Sequence, residues 1–79
     1  MNKYDKMVLR AIAKAFEVKQ SKVTFLESFS SGKLITRLTF RIQYNSFENI
    51  VYECNTSFEV NNVTLKDIIR IGTWDEYIG

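Results

Sequence analysis

Leu34-Ile35-Thr36-Arg37-Leu38-Thr39-Phe40-Arg41-Ile42-Gln43-Tyr44 is the stretch that decides how this chain is read. Leu34, Leu38, Phe40, Ile42 and Tyr44 put apolar side chains at even positions, with Thr36 neutral among them. Arg37, Thr39, Arg41 and Gln43 are polar at odd positions, and only Ile35 departs from the alternation. Successive side chains of a strand point to opposite faces, so the pattern predicts a strand with one buried and one wet face. It is the longest and best-patterned strand of the chain, and it is expected at the centre of a sheet.

Upstream lies the natural cover for the buried face. Tyr4, Met7, Val8, Ala11, Ile12, Ala15 and Phe16 follow the three-four spacing of an amphipathic helix. Asn2 can cap its start, with Asp5 near the positive end of the dipole, and the helix is expected to run to about Val18 or Lys19. Lys6, Arg10 and Lys14 line one side of it, joined by Lys3 and diluted by Glu17. A solvated face is the ordinary reading of such a row, and a phosphate-tracking ridge the sharper one.

Between helix and central strand, Val23 to Phe29 reads as a first strand, with Val23, Phe25 and Phe29 on one face and Leu26 on the other. Glu27 falls on the apolar face, which points to a bulge, a frayed end or an edge position. Ser30-Ser31-Gly32-Lys33 is a turn, because Gly32 can take the positive φ that tight hairpins need.

Downstream, Asn45 to Asn49 forms a loop with Phe47 near its tip, and Ile50 to Thr56 a third strand that can continue through Phe58 and Val60. After Asn61-Asn62, Thr64-Leu65-Lys66-Asp67 looks like a capping box. With Leu65, Ile68 and Ile69 facing inward and Gly72 as terminator, a second helix is the favoured reading. The competing one is a hairpin pairing Phe58-Glu59-Val60 with Val63-Thr64-Leu65. Thr73 and Glu76 repeat the cap pattern before Tyr77 and Ile78, in a tail too short to be helical unless it packs. The expected architecture is one small α+β domain over residues 1–79. Its order is α-β-β-β-α, with a three-stranded antiparallel sheet packed on the N-terminal helix.

Seventy-nine residues bury a modest core, worth about 3–5 kcal/mol of net stability. Six Phe, four Tyr and one Trp let a short chain build that core from few side chains. The net charge of +2 is too weak to imply a nucleic-acid or membrane partner by itself. A single cysteine, Cys54, excludes an internal disulfide and fits a reducing, cytoplasmic setting. The charged N-terminus lacks the apolar core of a signal peptide, and no apolar run approaches a membrane span. Richness in Asn, Lys, Ile, Phe and Tyr, with neither Pro nor His, suits an AT-rich genome such as that of a phage.

Chemistry is sparse. With no His and one Cys, a zinc site of the usual kind cannot be assembled, and neither metal nor cofactor is expected. Cys54 has no base to activate it and lies on the expected buried face. A carboxylate pair such as Glu27 with Glu53 can be neighbours across strands, but nothing in the sequence fixes their spacing. The chain therefore reads as a non-enzymatic protein-binding domain, an inhibitor or adaptor. It would act through its sheet face, a sheet edge or its aromatic tail, with Arg37, Arg41, Gln43, Phe47, Trp74 and Tyr77 as contact residues. A homodimer is a variant of this reading. The alternative is a nucleic-acid module using Lys6, Arg10, Lys14, Arg37 and Arg41 against phosphates. Base stacking is disfavoured, because Phe25, Phe40 and Tyr52 are expected against the helix.

Overall fold

The computed structural model describes residues 1–79. Helix α1 spans Lys3–Phe16 and is followed by a single 3-10 turn at Gln20–Lys22. Strands β1 (Val23–Ser31), β2 (Leu34–Gln43), β3 (Asn49–Glu59) and β4 (Asn62–Thr73) come next, and a short helix α2 (Trp74–Ile78) ends the chain. The strands form one antiparallel sheet in the order β1-β2-β3-β4, so β2 and β3 share its centre. The domain is α+β with its N-terminal helix on an antiparallel sheet, but the sheet has four strands rather than three.

Local signals set most boundaries. The Asn2 side chain accepts the Asp5 backbone N–H at 2.8 Å, which satisfies one orphan donor of α1. The helix ends at Phe16: Glu17 enters the left-handed region at φ 55°, and the Val18 N–H bonds back to the Ala13 carbonyl. It thus ends before Val18. Gly32 takes φ 62° between β1 and β2, as its turn requires.

Residues 64–71, expected as a helix, are strand. Val63, Thr64, Ile68, Ile69, Ile71 and Thr73 are β-branched, and β-branched side chains favour a pleated strand over a helix. Asn61, at φ 61°, makes the reversal, and Glu59 pairs with Asn62, so the turn is Val60-Asn61 rather than Asn61-Asn62. Pairing with β4 also satisfies the outer edge of β3, which a helix would have left open.

Two irregularities explain departures from simple alternation. The register shifts between Ser30↔Ile35 and Phe29↔Arg37, so β2 changes phase at Thr36 and Ile35 turns into the core. A second shift, between Phe25 and Glu27, bulges β1 at Leu26. It moves Glu27 and Phe29 to the face opposite α1, where they pair with Thr39 and Arg37, so Phe29 does not join Val23 and Phe25.

The core lies between α1 and the sheet. Val8, Ile12, Ile35, Leu38, Phe40, Ile42 and Cys54 are its buried members. Phe16 meets Phe40 edge-on at 5.6 Å and Tyr52 at 4.7 Å, while Tyr52 stacks on Phe40 at 5.6 Å. Such aromatic contacts add about 0.5–1.5 kcal/mol each beyond burial. Tyr44 lies just past the end of β2 and shares a 2.6 Å hydrogen bond with the Tyr52 hydroxyl. No helix is long and apolar enough to cross a membrane.

Candidate functional site

The face of the sheet opposite α1 is not the open platform that the sequence suggests. Thr73 and Glu76 form both hydrogen bonds of a capping box, with Glu76 N–H donating to Thr73 Oγ1 at 3.2 Å and Thr73 N–H to Glu76 Oε1 at 2.9 Å. These bonds hold the Glu76 carboxyl below the usual carboxylate range. The cap turns α2 back over the sheet. Trp74 lies over the Arg41 guanidinium at 4.5 Å, and the Tyr77 hydroxyl donates to Glu27 at 2.9 Å. That bond raises the Tyr77 hydroxyl above its ordinary pKa. Thr39 and Val51, both on this face, are buried.

The expected contact residues are therefore largely engaged within the chain. Arg37 bonds Glu53 through Nε at 2.9 Å and Nη2 at 2.5 Å and sits 5.9 Å from the Phe29 ring. Arg41, Trp74 and Tyr77 join in the tail docking. Glu27 and Glu53 both pair with Thr39 from opposite sides, which sets their strands two spacings apart, about 10 Å. Each carboxylate has its own partner, so the two do not form a reactive pair. Gln43 is exposed at the end of β2. Phe47 is 99 % exposed on a loop tied by Asn45, whose Oδ1 accepts the Phe47 N–H at 2.8 Å. It lines a shallow cleft of about 240 Å³ with Ser46, Asn49, Thr73, Trp74 and Asp75.

The two basic rows lie on opposite faces of the sheet and do not merge. Lys6, Arg10 and Lys14 are exposed on α1, and none makes an ion pair, since Arg37–Glu53 is the one salt bridge in the structure. Arg10 and Lys14 border a groove of about 670 Å³ between α1 and β4. Met7, Ala11, Leu65 and Ile68 supply its apolar lining, and Asn61, Asn62 and Thr64 close one end.

Beside this groove runs the free edge of β4, a 12-residue strand. Ile68, Ile69 and Ile71 are 45, 56 and 44 % exposed along it. The opposite edge, β1, carries Thr24, Glu27, Ser28, Ser30 and Ser31 beside a single exposed aromatic, Phe29, which is 66 % exposed. Register shifts at Asp67, where φ is 52°, and at Ile71 interrupt β4 on its β3 side, and Asn55 steadies the first by donating to Asp67 Oδ2 at 3.1 Å. The sequence marks Arg10 and Lys14 as a basic row, but with residues 64–71 expected as a helix it turns Ile68 and Ile69 inward and hides them as a site. The β-branched run at Ile68, Ile69 and Ile71 was the available signal.

The Cys54 thiol is buried in the core, and burial, with the Glu53 charge second, pushes its pKa up to about 11. A thiol held in that state is a poor nucleophile at neutral pH. No cluster of three or more His, Cys, Asp or Glu side chains is present. Comparison of the chain with protein-family models, curated proteins and solved structures returned no match.

Proposed function

We propose that this is a small non-enzymatic protein-binding domain, an inhibitor or adaptor, and that it binds through the β4 edge. The observation that carries the reading is the row Ile68, Ile69 and Ile71, exposed on a long strand with an unpaired outer edge. Unpaired strand edges template further pairing, and natural domains usually blunt them with charge, Pro or cover. β4 has no Pro and no further strand pairs with its outer edge, so the charges of Lys66, Asp67 and Arg70 and its two register shifts are all that blunts it. An extended segment of a partner added here would gain backbone hydrogen bonds and bury apolar side chains together. The sheet face and the aromatic tail support the reading less, because Arg37, Arg41, Trp74 and Tyr77 already partner one another or neighbours.

A displayed random-peptide library selected on the immobilised protein tests this. Selected peptides should lose about tenfold or more in affinity on an Ile69→Lys, Ile71→Lys variant. Both side chains are exposed, so the variant should keep the wild-type circular dichroism. Selected peptides that bind the variant and the wild type equally would remove the β4 edge from the reading.

A further inference from the structure

Resting on that strand-addition reading, we infer that the segment accepted by β4 is an extended acidic peptide of another protein, with both apolar residues and Asp or Glu among the side chains that face the groove. Three observations lead there. The first is geometric. The α1–β4 groove runs beside the free edge, so every second side chain of an added strand would point toward it. Met7, Ala11, Leu65 and Ile68 are apolar partners for those side chains.

The second is the charge around that edge. Arg10 and Lys14 border the groove, and Lys66 and Arg70 lie on β4 itself. None of the four has a carboxylate within ion-pair distance. Asp67, the acid nearest Lys66 and Arg70 in sequence, is held by Asn55, while Glu17 lies three residues from Lys14 and the Glu76 carboxylate lies within electrostatic reach of Arg70. An added strand would thus lie beside these cations, and carboxylates on its groove side would meet Arg10 and Lys14, neither of which makes an ion pair. Complementary charge of this kind fixes register and speeds encounter.

The third bears on the choice of occupant. In an antiparallel pairing of β4 with β4 of a second copy centred on Ile68, Lys66 of each chain would lie opposite Arg70 of the other. The Arg10 and Lys14 flank would be doubled as well. Like charges placed opposite one another in a sheet are destabilising. A second copy is therefore a poor fit, and an acidic peptide a good one.

The peptide selection described above separates this inference from the reading it rests on. The expected result is an excess of Asp and Glu among the selected peptides, at the same alternate positions that carry their apolar residues. Their affinity should fall about tenfold or more on an Arg10→Glu, Lys14→Glu variant and should weaken with added salt. N-methylation of alternate peptide amides should abolish binding for one set of positions and spare the other, because an added strand turns only every second N–H toward β4. Selected peptides without acidic excess, or indifferent to the charge reversal, would overturn the acidic inference if the isoleucine variant still loses them. Peptides indifferent to the isoleucine variant and to N-methylation would overturn both. A failed selection accompanied by concentration-dependent dimerisation in sedimentation would replace the peptide with a second copy.

Discussion

The guanidinium of Arg41 lies over the indole of Trp74, 4.5 Å from the ring centroid, and this contact holds the C-terminal helix on the sheet. Arg41 belongs to the central strand β2 and Trp74 to the first turn of α2, so the pair joins distant parts of the chain. Arg41 Nε is buried without a hydrogen-bond partner, which leaves the ring face as its compensation. Partly desolvated cation–π pairs contribute about 0.5–2 kcal/mol. A double-mutant cycle of Arg41→Ala and Trp74→Ala by urea denaturation should return a coupling in that range. Because Trp74 is the sole tryptophan, Arg41→Ala should also red-shift its emission toward that of exposed indole. Zero coupling with an unchanged spectrum would mean that α2 does not depend on this contact.

Phe40 is fully buried and touches both Phe16 and Tyr52. Phe40→Ala removes burial and leaves a cavity, at a cost of about 3–5 kcal/mol. A domain of this size has little more than that to lose. The variant should show no cooperative thermal transition by circular dichroism, whereas Phe40→Leu should retain one at a lower Tm.

Docking of α2 should weaken at both ends of the pH scale. Glu76 has its pKa lowered from an ordinary value of 4.5 in the folded chain, first by the Thr73 backbone N–H. Its contribution is present above that ordinary value and is lost as pH falls through the lower folded one. Tyr77 has its pKa raised from 10.0, first by its hydrogen bond to Glu27. Its contribution is full below that value and is lost as pH rises toward the folded one. Trp74 emission followed across pH should therefore be flat in the middle and change at each end. Glu76→Gln should suppress the acid change and Tyr77→Phe the alkaline one. An acid change that survives in Glu76→Gln would assign it to another carboxylate.

Cys54 should resist thiol reagents at neutral pH. Its thiol is buried and its pKa is pushed up to about 11, so both access and thiolate fraction are low. Labelling by a disulfide reagent should follow the unfolding rate and become immediate in urea. Rapid labelling of the native protein would show that β3 opens locally.

Elements defined by neighbours in sequence were legible in advance. The Asn2 cap, the Gly32 turn and the Thr73–Glu76 capping box each depend on residues a few positions apart, and all are present. The segment from Thr64 to Gly72 was not, because Thr64, Leu65, Asp67, Ile68 and Ile69 satisfy a capped helix and a strand equally well. A distant partner, the outer edge of β3, decides between them. The groove was hidden for the same reason. Arg10 and Lys14 were visible as a basic row, but their relation to Leu65 and Ile68 exists only once β4 is a strand. Phe29 and Ile35 were misplaced or anomalous by alternation, since a single bulge reverses the face of every residue beyond it.

The sheet order repeats the chain order, and this has a kinetic consequence. Each strand pairs with the one before it, so no long loop must close before a hydrogen-bond ladder can grow. The chain also lacks proline, which removes the commonest source of a phase lasting tens of seconds or more. Refolding can proceed as successive hairpins zipping together, with the longest-range contacts, such as Tyr77 with Glu27 and Tyr4 with Phe58, left to the docking of the two helices. Until β4 has zipped onto β3 the open edge is that of β3, so the edge proposed to accept a partner comes into being only with that last hairpin of the sheet.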